Sequence, residues 1–315
     1  MNILFAHVAY QMAATFGARN TGIRHSQAWT RQELDAHIGD ADVLVISGLW
    51  RNDLLGQAPK LRFIQSIGAG SDQFDQAALK VRGIRLASAR GVNRNAVSEH
   101  AFALILALAR HIHTSRDNQR ERHYRALITD LAKREDELDG KTLGIIGLGA
   151  IGSRVAALGK AFGMRVIATK RSPATTEGPA DLVLSPDRLP ELLREADFVV
   201  LNCPLTQETR GIINRDTLAL MKPSAYVINV ARGACIIEED LLAALKSRQI
   251  AGAALDHFIE DPLPPSSPFW NLENVIITPH TAGETRLYES NVVDILLDNL
   301  GRLGRGETQL RNQVV

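Results

Sequence analysis

The chain has 315 residues, room for two domains of ordinary size with ample core. Apolar and charged residues make up 45% and 23% of it, as in a globular protein that folds in water. Its 36 basic residues balance 35 acidic ones, which excludes a strong electrostatic case for nucleic acid or an anionic membrane as partner.

The opening Met1-Asn-Ile-Leu-Phe-Ala6 lacks the basic flank of a signal peptide, and its apolar run is too short for one, so it reads as a first strand. The longest apolar stretch, residues 101–109, is too short to span a bilayer. The two cysteines, Cys203 and Cys235, form neither a disulfide framework nor a metal-ligand cluster. A cytoplasmic protein with no metal is the expectation.

Residues 42–47, 62–66 and 85–88 are further short apolar runs, separated by helical or turn-like segments such as 31–38. Strands alternating with helices predict a parallel sheet covered on both faces. Ser66-Ile-Gly-Ala-Gly-Ser-Asp72 is a glycine-rich turn after a strand. It reads equally as a plain connection or as a backbone N–H cradle for a small anion at a helix start. Asn95-Ala-Val-Ser-Glu-His100 opens a long helix, 101–113, apolar nearly all round and therefore buried. His111 and His113 at its end read as solvated cations at a helix C-terminus. The charged segment 116–137 reads as a solvated helix and connector near a domain crossover.

Lys141-Thr-Leu-Gly-Ile-Ile-Gly147-Leu-Gly149-Ala150-Ile151-Gly152 is the most informative stretch. A strand runs into a tight glycine turn and then a helix start. That order suits a dinucleotide: the glycines let the backbone approach a pyrophosphate, and the helix N-terminus offers free N–H groups to it. Five short apolar runs follow, at 166–169, 198–202, 226–230, 252–256 and 275–278. Their ends carry Lys170, Cys203, Ala231-Arg232, Asp256 and Pro279-His280, and ligands of open α/β sheets bind at such ends. A last helix is expected over 295–303. An NAD site usually has an acidic residue closing the second strand, to accept the ribose 2′-hydroxyl. Here Lys170-Arg171-Ser172 stands there instead. Two cations attract a 2′-phosphate, so NADP(H) is expected over NAD(H).

These motifs together resemble the D-isomer-specific 2-hydroxyacid dehydrogenases, a family that includes glyoxylate and hydroxypyruvate reductases and phosphoglycerate dehydrogenases. The resemblance rests on Ser66–Asp72, Val97-Ser-Glu-His100 and the 140–152 loop. It continues through Cys203-Pro-Leu-Thr-Gln-Glu-Thr209, Asn229-Val-Ala-Arg-Gly233, Ala254-Leu-Asp256 and Thr278-Pro-His-Thr-Ala-Gly283, and so spans nearly the whole chain. It implies an α/β fold of two Rossmann-like, doubly wound parallel-sheet domains with a cleft between them. The substrate domain would be 1–98 plus 283–315, the dinucleotide domain 99–282, and the assembly a homodimer.

Hydride transfer to a 2-keto acid requires that the carboxylate be held, the carbonyl polarised and a proton delivered. Arg232 suits the first two tasks and His280 the third. The family's orienting glutamate precedes a proline; here Asp256-His-Phe-Ile-Glu-Asp261-Pro262 puts Asp261 at that position, one methylene shorter, with Glu260 beside it as the alternative. His257, where the family usually has a small apolar residue, reads as a packed or solvated side chain or as a second polar group near the cleft. The resemblance also implies that Ala69 and Gly70 present N–H groups to the substrate, that Val97 lies against the nicotinamide with Asp256 near its amide, and that Cys203, Pro204 and Thr209 lie near the adenosine. Val230, Ala231, Arg232, His280 and Gly283 complete the expected cofactor contacts. Trp50 reads equally as a wall of the substrate pocket or as core packing, and Arg51 as a second anion contact. A 2-keto acid reductase is the leading expectation. A regulatory, corepressor-like protein that binds NAD(P) with little turnover is the alternative.

Overall fold

The computed structural model describes residues 1–172 and 178–315 and divides into two compact units. Unit 1 comprises Met1–Asn93 with Thr285–Val315, and unit 2 comprises Arg94–Glu284.

Unit 1 is built on strands β1 (Asn2–Ala6), β2 (Arg24–Ala28), β3 (Val43–Ile46), β4 (Phe63–Ser66) and β5 (Arg85–Ala87), ordered β2-β1-β3-β4-β5. Every pairing is parallel. β3 and β4 are buried at all their residues, as strands covered on both faces must be. On one face Leu4, Leu44, Ile46 and Ile64 pack with Leu34 of α2 (Arg31–His37) and Leu79 of α3 (Gln76–Val81). On the other, Ile3, Phe5, Val43, Val45 and Phe63 pack with Met12 and Phe16 of α1 (Met12–Gly17) and with Val292, Val293 and Leu296 of α10 (Tyr288–Gly304).

Unit 2 holds strands β6 (Thr142–Ile146), β7 (Arg165–Thr169), β8 (Leu182–Leu184), β9 (Phe198–Leu201), β10 (Tyr226–Asn229), β11 (Gly252–Leu255) and β12 (Val275–Ile277), ordered β12-β11-β10-β9-β6-β7-β8. These pairings are parallel too. The strand order reverses between β6 and β9, the place where ligands of such sheets sit. Helices α4 (Arg94–Ala109) and α6 (Ala150–Ala161) cover one face; α7 (Leu189–Glu195), α8 (Arg215–Leu218) and α9 (Glu238–Lys246) cover the other. Both units are thus doubly wound parallel α/β sheets.

The helix expected at 101–113 starts earlier and stops sooner. α4 opens at Arg94, ends at Ala109, and breaks at His111, whose φ of +48° is left-handed. A second helix, α5 (Ile112–Arg120), restarts from there. The apolar circumference of α4 is explained by the core: Ala101, Ile105 and Leu108 pack with Leu143, Ile145 and Val155. His113 corrects the reading of a solvated cation. It is half-buried, its Nδ1 lies 3.2 Å from the Ala107 carbonyl, and burial holds its pKa below the usual histidine range. The last helix is longer than the expected 295–303, because Tyr288 and Val292 already belong to its buried face. No helix among the described residues is long and apolar enough to cross a membrane.

Candidate active site in unit 2

The glycine loop joins β6 to α6. Gly147 has a φ of +101°, and a Cβ there would stand 2.8 Å from the Cα and N of Cys203. Only glycine lets the ends of β6 and β9 come this close. Gly149 differs. Its backbone is extended, and a Cβ there would meet no atom within 4 Å. Internal packing therefore gives no reason for glycine at 149, whereas close approach of an external group does. Gly149 is also the N-cap of α6, where no side chain caps the helix and no acidic residue occupies the first turn. Beside the loop, at the end of β9, both amide atoms of Asn202 are buried without a partner among the described residues. Buried polar groups are normally satisfied, so this pair also fits a polar ligand at the strand-order reversal. Residue types alone did not single out Asn202.

Lys170 and Arg171 follow β7; the first is half-buried and the second exposed. Among the described residues neither lies within ion-pair distance of a carboxylate; the Glu208 carboxyl is held below its usual range chiefly by the Thr206 hydroxyl, with a smaller part from the charge of Arg171. Thr209 organises the turn after β9: its hydroxyl donates to the Pro204 carbonyl at 2.6 Å and accepts from the Thr206 N–H at 2.7 Å. Cys203 is buried, and the neighbouring Cys235 thiol together with burial pushes its thiol pKa up. A thiol so placed is a poor nucleophile.

Three loops of unit 2 converge after β10, β11 and β12. The Asn229 side chain shapes the first: its Oδ1 accepts from the Ala231 N–H at 3.0 Å, and its Nδ2 donates to the Arg232 carbonyl at 3.0 Å. Gly233 then brings this loop against the second. A Cβ at 233 would lie 2.0 Å from the carbonyl carbon of Phe258, so any side chain would drive the two backbones apart. Arg232 is exposed; its Nη1 donates to the Ala231 carbonyl at 2.7 Å, and no carboxylate among the described residues pairs with it. Its charge reaches His257 on the adjoining loop.

The third loop carries His280. Its anchor is Asp256, a carboxylate with no exposed side-chain surface. Asp256 Oδ1 accepts from the Thr278 hydroxyl at 2.6 Å and the Thr281 N–H at 3.0 Å, and Oδ2 accepts from the Ala282 N–H at 3.1 Å. His100 of α4 approaches the Thr278 hydroxyl at 3.0 Å. His280 stands within this pinned loop with a φ of +57°, a left-handed conformation uncommon for residues other than glycine. Its Nδ1 lies 2.5 Å from Asp261 Oδ2. Asp261, not Glu260, makes this contact, and its shorter side chain reaches without a bridging water. Val97 lies buried in α4, and Val230 and Ala231 are buried at the end of β10.

In unit 1, the turn after β4 is held by Ser66 Oγ donating to the Gly68 carbonyl at 3.1 Å and by the Tyr288 hydroxyl donating to the Ile67 carbonyl at 3.0 Å. Among the described residues nothing accepts from the N–H groups of Ala69 and Gly70. No helix starts at this turn; α3 begins only at Gln76, capped by Asp75. Trp50 is 8% exposed, packs on Phe74 at 5.0 Å, and donates Nε1 to Asn52 Oδ1, which is the setting of a core residue. Arg51 is not free to meet an anion, since its guanidinium pairs with Asp35 and Asp53.

Similarity to known proteins gives this geometry its context. Residues 102–282 match the family model described as the NAD binding domain of D-isomer specific 2-hydroxyacid dehydrogenases. A glyoxylate reductase of Aeropyrum pernix is 40% identical over 258 residues, covering 81% of this chain and 77% of the relative. A D-3-phosphoglycerate dehydrogenase of Methanocaldococcus jannaschii is 37% identical over 289 residues, covering 88% of this chain and 52% of the relative. Among solved structures, an NADPH-dependent glyoxylate/hydroxypyruvate reductase of Sinorhizobium meliloti, in complex with NADP and sulfate, superposes with a TM-score of 0.82 at 25% identity, over 99% of this chain and 98% of the other. By its matched domain and these relatives, the chain belongs to the D-isomer specific 2-hydroxyacid dehydrogenase family, a family of oxidoreductases.

Proposed function

We propose that the protein reduces small 2-keto acids to D-2-hydroxy acids with NADPH, His280 delivering the proton. The observation that carries this reading is the 2.5 Å contact between His280 Nδ1 and Asp261 Oδ2. A carboxylate on Nδ1 fixes the tautomer, favours the imidazolium, and leaves Nε2–H to protonate the forming alkoxide. Arg232 has a guanidinium that pairs with no carboxylate among the described residues, suited to hold the substrate carboxylate and polarise the neighbouring carbonyl. The resemblance assigns Ala69 and Gly70 to substrate binding, and nothing among the described residues accepts from their N–H groups. The reduced nicotinamide, when bound, supplies the hydride. Gly147, Gly149 and the first residues of α6, Ala150 to Gly152, would hold its pyrophosphate. Glyoxylate reductases among the relatives support the substrate class, and the NADP complex of the Sinorhizobium meliloti enzyme supports the cofactor.

The test is NADPH consumption by the purified protein with glyoxylate, hydroxypyruvate, pyruvate and branched 2-keto acids. Folded protein that binds NADPH yet oxidises it with none of them overturns the reading. Cofactor choice has its own check. Replacing both Lys170 and Arg171 with alanine should weaken NADPH binding about 30-fold and NADH binding less than about 3-fold. Equal weakening of the two, measured by fluorescence titration, would mean that these cations do not read a 2′-phosphate.

A further inference from the structure

His257 stands where the resemblance leads one to expect a small apolar residue, and neither Arg232 nor Asp261 accounts for it. Its ring centroid lies 3.9 Å from that of His280, with the planes tilted by 59°. The residue is 8% exposed, whereas the His280 side chain is 51% exposed. One ring is therefore fixed in the protein, and the other leans on it while opening outward. His257 is itself immobilised by its neighbours. Its Nε2 lies 3.7 Å from Asp256 Oδ2, and its backbone continues into Phe258, against which Gly233 packs. The charged groups facing the pair are Asp261 on His280 Nδ1, Asp256 behind His257, and Arg232 on the loop across from it. Burial, the His280 charge and the Arg232 charge outweigh the two carboxylates and hold His257 down at about 4, so at neutral pH it is an uncharged ring.

We propose that His257 is a positioning residue for His280: its ring closes one side of the His280 imidazole, so that with Asp261 on Nδ1 the ring keeps a single orientation with Nε2 outward. The inference rests on the proposed role of His280 as proton donor. Its physical content is restriction. An imidazole tethered at one nitrogen still swings about that bond, and each orientation that misdirects Nε2 is lost to proton transfer. A packed ring at 3.9 Å removes those orientations and sheds water from that side.

The test compares His257→Ala, His257→Val and His257→Phe in the full chain. Alanine and valine remove the ring, and valine keeps the site filled should alanine fail to fold. Phenylalanine keeps a ring without nitrogens. Loss of the ring should lower kcat for keto-acid reduction about 10-fold with KM and the NADPH Kd within about two-fold, and phenylalanine should restore most of it. Ringless variants with wild-type kcat, or a phenylalanine variant as slow as valine, overturn the proposal. NMR of the His280 ring in the same proteins separates the two readings, because nuclear Overhauser contacts from its ring protons report whether it keeps one orientation. If no keto acid is reduced by the wild type but the His280 ring loses its single set of contacts only in the ringless variants, the proton-donor role fails and the packing role stands. An unchanged set of contacts in all variants overturns the packing role.

Discussion

Replacing His280 with alanine is expected to lower kcat for 2-keto acid reduction about 1,000-fold, with the NADPH Kd within about two-fold of wild type. The size follows from the usual worth of a positioned proton donor, and the spared binding from the geometry. His280 contacts Asp261 and His257, while the glycine loop and α6 belong to a different part of the unit 2 sheet. Asp261→Asn should cost less, about 100-fold, because an amide oxygen still accepts from Nδ1–H but no longer stabilises the imidazolium. Stopped-flow and steady-state kinetics with NADPH check both. A His280→Ala protein within ten-fold of wild type would end the assignment of His280 as proton donor.

The second large effect is one of stability against pH. Folded His257 is held at about 4 against 6.5 for a free histidine, chiefly by burial. Between these values the unfolded chain binds a proton that the folded one refuses, so stability rises with pH across that window. The contribution is whole above about pH 6.5 and disappears as pH falls towards 4. Two and a half pKa units correspond to roughly 3 kcal/mol. His257→Phe keeps the volume and removes the titration. Urea unfolding at pH 7 and pH 4.5 should therefore show the wild type losing roughly 2 kcal/mol more than the variant between the two pH values, because pH 4.5 stops short of the folded pKa. Titrating groups away from His257 are common to both proteins and cancel in the comparison. Equal acid losses would mean that His257 is not held neutral in the fold.

What could be read from the sequence followed burial. The interior strands, such as β3 with its run Val43-Leu-Val-Ile46, are apolar throughout because both faces are covered. The two strands that sequence reasoning missed, β2 and β8, are the edges of their sheets. β2 reads Arg24-His-Ser-Gln-Ala28, with three of its five residues exposed, and an edge strand needs no apolar pattern to pair. The break between α4 and α5 was equally hidden, since His111 takes the left-handed conformation without a glycine or proline to announce it. At the candidate site, Arg232 and His280 stood out in the sequence because such residue types stand at strand ends. Asn229, Thr278 and His100 were not. The value of a buried polar residue lies in its partner, and His100 meets Thr278 across 178 positions of chain. The same blindness made Arg51 look available, when Asp35 and Asp53 already hold it.

The division of unit 1 into Met1–Asn93 and Thr285–Val315 sets an order on the ribosome. The sheet face formed by Ile3, Phe5, Val43, Val45 and Phe63 is completed by α10, which is made only after unit 2. At ordinary rates of synthesis the intervening unit 2 takes roughly 10–40 s to emerge. All the residues of unit 2 are therefore synthesised, and free to fold, while the unit 1 sheet still lacks α10. The nascent chain carries that open apolar face throughout, so the stage most exposed to aggregation and to chaperone capture is the wait for α10, and a truncation that removes α10 would prolong it without end.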